Sequence, residues 1–164
     1  MRRISHVFLC LTPFLYLSPL FQSLPWIFRG YLPAVAIFIF FRLGKNRALA
    51  FALVSALLMD ATVAAAIGPY VLLHGLFFAA AFLWMHLIPH PSPLATGVAV
   101  GVTSLVAELV FFILLVIFGW QVSMVDSSAF FIVPLSTGIY GAAMSHYFLR
   151  DYTDYRVIGK DSDA

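Results

Sequence analysis

The stretch of residues 47–68, RALAFALVSALLMDATVAAAIG, decides how the chain folds. Apolar and small residues lie on both sides of one acid, Asp60. An aspartate inside an apolar helix costs about 2.5–3.5 kcal/mol on insertion scales, so we expect its carboxyl group to face protein rather than lipid. Small residues recur at every fourth position, which lets another helix approach closely. The series consists of Ala48, Ala52, Ala56, Ala64 and Gly68, with Asp60 among them.

The composition of the whole chain predicts a membrane protein. Of its 164 residues, 63% are hydrophobic and 10% are charged, and the mean hydropathy is +1.01. In a lipid-embedded domain both the lipid-facing residues and the core residues must be apolar. The large share of hydrophobic residues is therefore typical of such a domain. The single cysteine, Cys10, excludes an internal disulfide and a cysteine metal cluster. We expect no metal and no cofactor, and a net charge of +2 is too small to indicate nucleic acid.

Hydrophobic segments and helix breakers predict an all-α polytopic protein, with six transmembrane helices in one compact bundle and a short polar cytoplasmic tail. Pro13 and Pro19 are expected to bend the first span. No small-x-small cleavage site follows that span, so we expect a retained helix rather than a signal peptide. The second span is long enough only if it begins at Trp26 and Arg29 reaches back to the interface. The predicted spans are 4–24, 26–43, 48–67, 70–88, 94–118 and 130–149, and the tail is 150–164.

The distribution of basic residues predicts the orientation. With six spans, every lysine and arginine except Arg29 falls on one side of the membrane. Lys and Arg are enriched on the cytoplasmic side, so both termini are expected there. The basic residues on that side are Arg2, Arg3, Arg42, Lys45, Arg47, Arg150, Arg156 and Lys160.

A polar cluster is predicted inside the membrane. Glu108 is the second intramembrane acid, and Ser104 shares its face of the fifth span. Counted from the inner ends of two parallel spans, Asp60 and Glu108 both lie about 20 Å deep. His74 comes near the same layer from the outer side. The predicted cluster therefore consists of Asp60, Glu108, His74 and Ser104.

The residues leave two interpretations of this cluster equally open. In the first, the cluster relays protons, coordinates a substrate or binds a partner helix. In the second, each acid is a hydrogen-bonded structural pin. Catalysis is not expected. Lipoprotein signal peptidases surround two catalytic aspartates with asparagine-rich motifs, whereas the one asparagine here, Asn46, lies in a loop and the second acid is a glutamate. Neither a serine–histidine pair in a strand-turn-helix context nor a glycine-rich phosphate loop is present, so no catalytic residue is assigned.

Small residues predict faces for helix packing. They are Ala52, Ala56 and Gly68 on the third span, and Gly97 and Gly101 on the fifth. Such faces are how helices associate where lipid offers no hydrophobic driving force. Because they exceed what one six-helix core needs, we expect one of them to hold the helix of another membrane protein.

Three patches of sequence resemble the rod shape-determining MreD family. Residues 28–33, FRGYLP, are similar to that family's Phe-Arg-Pro approach to its second helix, with the proline displaced to Pro33. Arg47, the run LLMD ending at Asp60, and Gly68 resemble its Asp-x3-Gly-x3-Gly signature, with Ala64 in place of the middle glycine. Residues 104–111, SLVAELVF, resemble its acidic fifth helix.

This resemblance implies a scaffold in the bacterial inner membrane that supports rod shape and peptidoglycan elongation. It implies a bitopic MreC-like partner and, through that partner, MreB-like filaments and a peptidoglycan synthase. Phe28, Arg29 and Arg47 are the family-motif residues. The alternative is the substrate-binding membrane subunit of a vitamin or ion importer, which is also a small six-helix protein. A small molecule in the polar layer favours the importer, whereas a filled layer and a lateral groove favour the scaffold.

Overall fold

A computed structural model describes residues 2–25, 30–62, 68–88, 92–117 and 127–158, without the side chains of 2–6, 114–115, 127–130 and 149–158. The described residues form seven helices and no strand, which confirms the all-α prediction. The helices are α1 (Arg2–Leu17), α2 (Pro19–Gln22), α3 (Leu32–Leu43), α4 (Lys45–Thr62), α5 (Pro69–Leu87), α6 (Pro93–Ile117) and α7 (Ser127–Ile158).

Pro19 divides the first predicted span into two helices. α1 continues through Pro13 and ends at Leu17. Ser18 then begins α2, because its hydroxyl oxygen accepts a hydrogen bond from the Phe21 N–H at 3.2 Å. Proline is favoured in the first turn of a helix, where its missing N–H would have no intrahelical acceptor. The bend expected at Pro19 is therefore a break, and Pro13 lies inside a continuous helix.

The short helix α3 is the centre of the bundle. Its 12 residues cover about 18 Å, which is less than a hydrocarbon core of about 30 Å. Residues 34–39 have no exposed surface, and α3 packs against α1, α4, α5, α6 and α7. The first part of the predicted second span, 26–29, lies outside the described residues and includes Phe28 and Arg29. Gly30 and Tyr31 precede the helix and are buried, and non-helical backbone at membrane depth is tolerated where protein surrounds it.

Successive long helices run in opposite directions. Tyr16 near the end of α1 meets Tyr31 at the start of α3, with ring centroids 5.0 Å apart. Gly44 alone separates α3 from α4. Phe8 near the start of α1 lies beside Phe148 near the end of α7, with ring centroids 6.0 Å apart. The start of α1, the α3–α4 turn and the later part of α7 therefore lie at one end of the bundle.

The structure describes α4 as far as Thr62, and residues 63–67 of the predicted third span lie outside the described chain. α7 extends to Ile158, so residues 150–158 of the predicted polar tail are helical. No proline or glycine interrupts this part of the chain, and adding a residue to an existing helix is far easier than starting one. Residues 159–164 of the tail are not described.

Within the described part of the chain, two helices are long and apolar enough to cross a membrane, Pro69–Leu87 and Pro93–Ile113. The segments Val7–Leu17 and Leu32–Leu43 are apolar but shorter. Only 17% and 33% of the most apolar windows of the two long helices are buried, so most of their side chains lie on the outside of the bundle. Exposed apolar surface of this extent marks contact with lipid or with another protein.

Candidate functional site

Asp60 caps the start of α5. Its Oδ2 accepts a hydrogen bond from the Gly68 N–H and its Oδ1 accepts one from the Tyr70 N–H, each at 2.8 Å. The residue is 2% exposed. The first N–H groups of a helix lack intrahelical partners and carry partial positive charge, so a carboxylate is favourable there. Asp60 therefore joins α4 to the first turn of α5, as a structural pin would.

Gly68 has a conformational role, where the small-residue series predicted a packing contact. Its φ of +133° lies in a region that L side chains rarely adopt. A Cβ added there would meet none of the described residues within 4 Å, so none of the described helices requires a glycine there. The glycine lets the backbone turn so that its own N–H and that of Tyr70 both point at the Asp60 carboxylate.

His74 belongs to a closed aromatic cluster with Tyr31 and Phe77. Its Nδ1 lies 2.8 Å from the Tyr70 carbonyl oxygen, which can only accept, so Nδ1 carries a proton. In the neutral ring Nε2 is then an acceptor, 3.5 Å from the Tyr31 hydroxyl, which also lies 3.5 Å from Met59 Sδ. Phe77 stacks on Tyr31 at 5.5 Å between centroids. His74 is 1% exposed and Tyr31 6%, so this part of the polar layer is filled with protein.

The start of α3 is fixed to α7 by a hydrogen bond that the sequence analysis missed. The Tyr31 N–H donates to Thr137 Oγ1 at 2.7 Å, and the Thr137 hydroxyl donates to the Val133 carbonyl at 2.7 Å. Thr137 has no exposed surface. Without it, the Tyr31 N–H would be unpaired at a helix start inside the bundle. One threonine in an apolar helix has no periodic signature, so its role is visible only in three dimensions.

Glu108 and Ser104 lie on α6, and no hydrogen bond described in the structure joins them to Asp60 or His74. Asp60 lies on α4 and Glu108 lies on α6. Helices α3 and α5 each pack against both α4 and α6, whereas the described parts of α4 and α6 do not pack extensively against each other. Among the described residues, Ser104 is the one whose side chain interacts with the half-buried Glu108 carboxyl group. Ser104 is 1% exposed, yet its hydroxyl makes no hydrogen bond of good geometry. Tyr70 thus links Asp60 and His74 through its backbone, and Ser104 is the neighbour of Glu108.

Gly97 and Gly101 pack against α7. A Cβ on Gly97 would lie 2.6 Å from the Gly138 carbonyl oxygen and 2.7 Å from Ala142 Cβ, and a Cβ on Gly101 would lie 3.2 Å from the Pro134 carbonyl oxygen. The two backbones approach closely, as in other small-x3-small helix pairs. One of the small-residue faces was predicted to hold the helix of another membrane protein. This face is instead occupied by α7 of the same chain.

The small-residue face of α4 is also covered. Ala52 is 3% exposed and Ala56 is completely buried, as is Ala48. Because α4 packs against α3 and α5, this stripe serves the bundle itself. Arg47 of the family motif is exposed in the first turn of α4, at the end of the bundle that holds the α3–α4 turn.

A groove runs along the outside of the α6–α7 pair. Its volume is about 660 Å³. Every lining side chain is apolar, and glycines from both helices contribute to its wall. The lining residues are Leu94, Gly97, Val98, Gly101, Val102, Leu105, Phe131, Pro134, Leu135, Gly138, Ile139, Ala142 and Ala143. On α6 the groove ends at Leu105, and Glu108 follows about 4.5 Å further along the helix.

Comparisons of the chain with protein families, with characterised proteins and with solved structures give no match. In the described part of the chain, no three His, Cys, Asp or Glu side chains stand together as metal ligands would. The geometry itself therefore defines the site. It has a polar core whose Asp60 and His74 are engaged within the protein, and an open apolar groove with one carboxyl group beyond its end.

Proposed function

We propose that this chain is a membrane scaffold of the MreD type, which supports rod shape and peptidoglycan elongation by binding an MreC-like protein with a single transmembrane helix. The α6–α7 groove carries the proposal. From Leu94 to Leu105 it extends about 16 Å, or three helical turns. It is apolar and open. Through that partner the scaffold connects to MreB-like filaments and a peptidoglycan synthase.

The alternative, a substrate-binding importer subunit, has less support. Such a subunit needs polar groups that are free to hold an ion or a water-soluble vitamin. Asp60 uses both carboxylate oxygens on backbone N–H groups, and His74 is buried between Tyr70 and Tyr31. The groove offers no polar side chain among its lining residues. A filled polar layer beside a lateral apolar groove favours the scaffold.

We further propose six spans in the bacterial cytoplasmic membrane, with both termini on the cytoplasmic side. The antiparallel order of the helices supports this topology, because it brings Arg42, Lys45 and Arg47 to the same end of the bundle as the start of α1 and the later part of α7. Lys and Arg are enriched on the cytoplasmic side of a membrane. The short helix α3 is then a buried span that begins inside the bundle.

Affinity purification of the tagged chain from its native membranes tests the proposal. We expect recovery of an MreC-like protein together with other elongation components. The variant Ala143→Trp fills the groove from an exposed position, and Ala79→Trp places the same bulk on an exposed position of α5 as a control. Loss of the partner from the first variant alone supports the scaffold. Retention of a small molecule without any elongation component overturns it in favour of the importer subunit.

A further inference from the structure

We infer that the α4–α5 pair binds the anionic headgroup of a phospholipid at the end of the bundle that holds the α3–α4 turn. Lys45 and His86 hold the headgroup beside the ring of Phe82, and an acyl chain lies along exposed leucines of α4. The site is separate from the α6–α7 groove. It rests on the proposed function only in placing this end of the bundle at the cytoplasmic surface of a membrane.

Side chains of three helices meet around Phe82, which is 43% exposed. The Lys45 ammonium group, in the first turn of α4, lies 4.9 Å from the centre of the Phe82 ring on α5. His86 follows Phe82 by one helical turn, and the two rings lie within 5° of parallel with centroids 6.4 Å apart. Phe41 of α3 meets the same ring in a T-shaped contact at 6.2 Å between centroids. One aromatic ring therefore positions a cation and an imidazole next to each other.

Lys45 has no acidic partner among the described side chains. The acids among them are Asp60 and Glu108. Asp60 lies about 22 Å from Lys45 along α4 and accepts two backbone hydrogen bonds, and Glu108 has Ser104 as its neighbour. An ammonium group has three N–H donors, so one that rests over a ring still directs donors away from it. Lys45 and His86 are both exposed and can donate to an anion from outside the chain.

The apolar surface next to Lys45 favours a lipid over a soluble anion. Leu49 and Leu53 follow Lys45 at steps of four residues, so all three lie along one side of α4. The two leucines are 43% and 47% exposed. Because α4 leads away from the cytoplasmic end, this row extends from the cation into the hydrocarbon core, as an acyl chain does. A free phosphate or an acidic peptide would use the cation and leave the leucines uncovered.

The neighbouring arginines are placed differently from Lys45. Arg47 is exposed two residues further on, which puts it about 200° around the helix axis and so on the opposite side of α4. Arg42 is half-buried near the end of α3 and already interacts with another group. Lys45 is therefore the cation of the Phe82 site. Arg47 provides a matched control, since it carries the same charge in the same helical turn.

Native mass spectrometry of the purified full chain in mild detergent tests the inference. The probes are phosphatidylglycerol and phosphatidylcholine with the same acyl chains, and glycerol phosphate as an anion without chains. Lys45→Gln should weaken phosphatidylglycerol binding about fivefold, the effect of one cation near an anionic membrane surface. Arg47→Gln should stay within about twofold of wild type, because its side chain lies outside the site. Wild type should prefer phosphatidylglycerol to the zwitterionic lipid by about fivefold and should not bind glycerol phosphate at the same concentrations.

Variants of the two rings give a second readout that keeps Lys45 in place. Phe82→Leu removes the surface on which the ammonium group rests, so binding should weaken about two- to fivefold, as for a cation–π contact at an exposed site. Phe112→Leu is the matched control on α6, since Phe112 is 46% exposed, and should leave binding unchanged. His86→Phe keeps a ring beside Phe82 but removes the N–H donor, and a loss of about two- to tenfold is expected.

Equal losses in Lys45→Gln and Arg47→Gln would show a response to the general positive charge of this end, and they overturn the site. Equal affinity for the two lipids, or binding of glycerol phosphate as tight as that of phosphatidylglycerol, overturns it as well. Loss of the MreC-like protein from Lys45→Gln with unchanged lipid binding assigns the cation to a protein contact and also overturns it.

The fate of the lipid site and that of the scaffold are distinguishable. A chain that binds phosphatidylglycerol through Lys45 but retains no MreC-like protein supports the lipid site and overturns the scaffold. A chain that retains the MreC-like protein and binds the lipid equally well as wild type and as Lys45→Gln overturns the lipid site alone.

Discussion

Replacing Asp60 by leucine removes the acceptor of two backbone hydrogen bonds at the start of α5. Each buried N–H left without an acceptor costs about 1–3 kcal/mol. Both bonds are only partly buried, so water or lipid headgroups replace them in part, and we expect a loss of about 2–4 kcal/mol for the pair. Asp60→Asn keeps one oxygen acceptor while its NH2 group cannot accept, so about half of that loss is expected.

Thermal stability of the purified protein in mild detergent measures this loss. For a chain of this size about 1 kcal/mol corresponds to 2–4 °C in Tm, so Asp60→Leu should lower Tm by about 5–15 °C. Thr62→Ala is the control, since its exposed hydroxyl bonds only within its own helix, and its Tm should change by about 2 °C at most. A Tm for Asp60→Leu equal to that of wild type would refute the capping role. Unchanged stability with loss of the partner would make Asp60 a contact residue instead.

Three further predictions concern packing, the start of α3 and topology. Gly97→Ala should destabilise the protein by about 1–3 kcal/mol, because its Cβ would press on the α7 backbone. Gly75→Ala, with nothing within 4 Å of the new Cβ, should be neutral or stabilising in the same melt. Thr137→Val leaves the Tyr31 N–H without its acceptor, and a loss of about 1–3 kcal/mol is expected in detergent unfolding. Reporter fusions after Lys160 should report cytoplasm and fusions within residues 123–128 periplasm, and a periplasmic signal from the tail would contradict six spans with both ends inside.

Local chemistry made much of the architecture predictable. Proline and glycine interrupt the apolar runs, and the described bounds of α5 and the start of α6 lie within one residue of the predicted spans. The cost of an acid in lipid predicted that Asp60 faces protein, and it is 2% exposed. Residues 150–158 of the predicted polar tail are helical, because polar composition alone does not end a helix.

The candidate site depended on tertiary structure. Counting residues along parallel helices predicts one depth for Asp60 and Glu108. Depth does not determine which helices are neighbours. In the structure, α3 and α5 each contact both α4, which carries Asp60, and α6, which carries Glu108. Likewise, glycine spacing marks Gly97 and Gly101 as a close-packing face whether α7 or another protein covers it. The sequence by itself determined the helices, their apolar character and the face that each residue occupies. The tertiary structure decided which neighbour covers each face, because helical periodicity fixes a direction around one axis and carries no information about the helix that packs there.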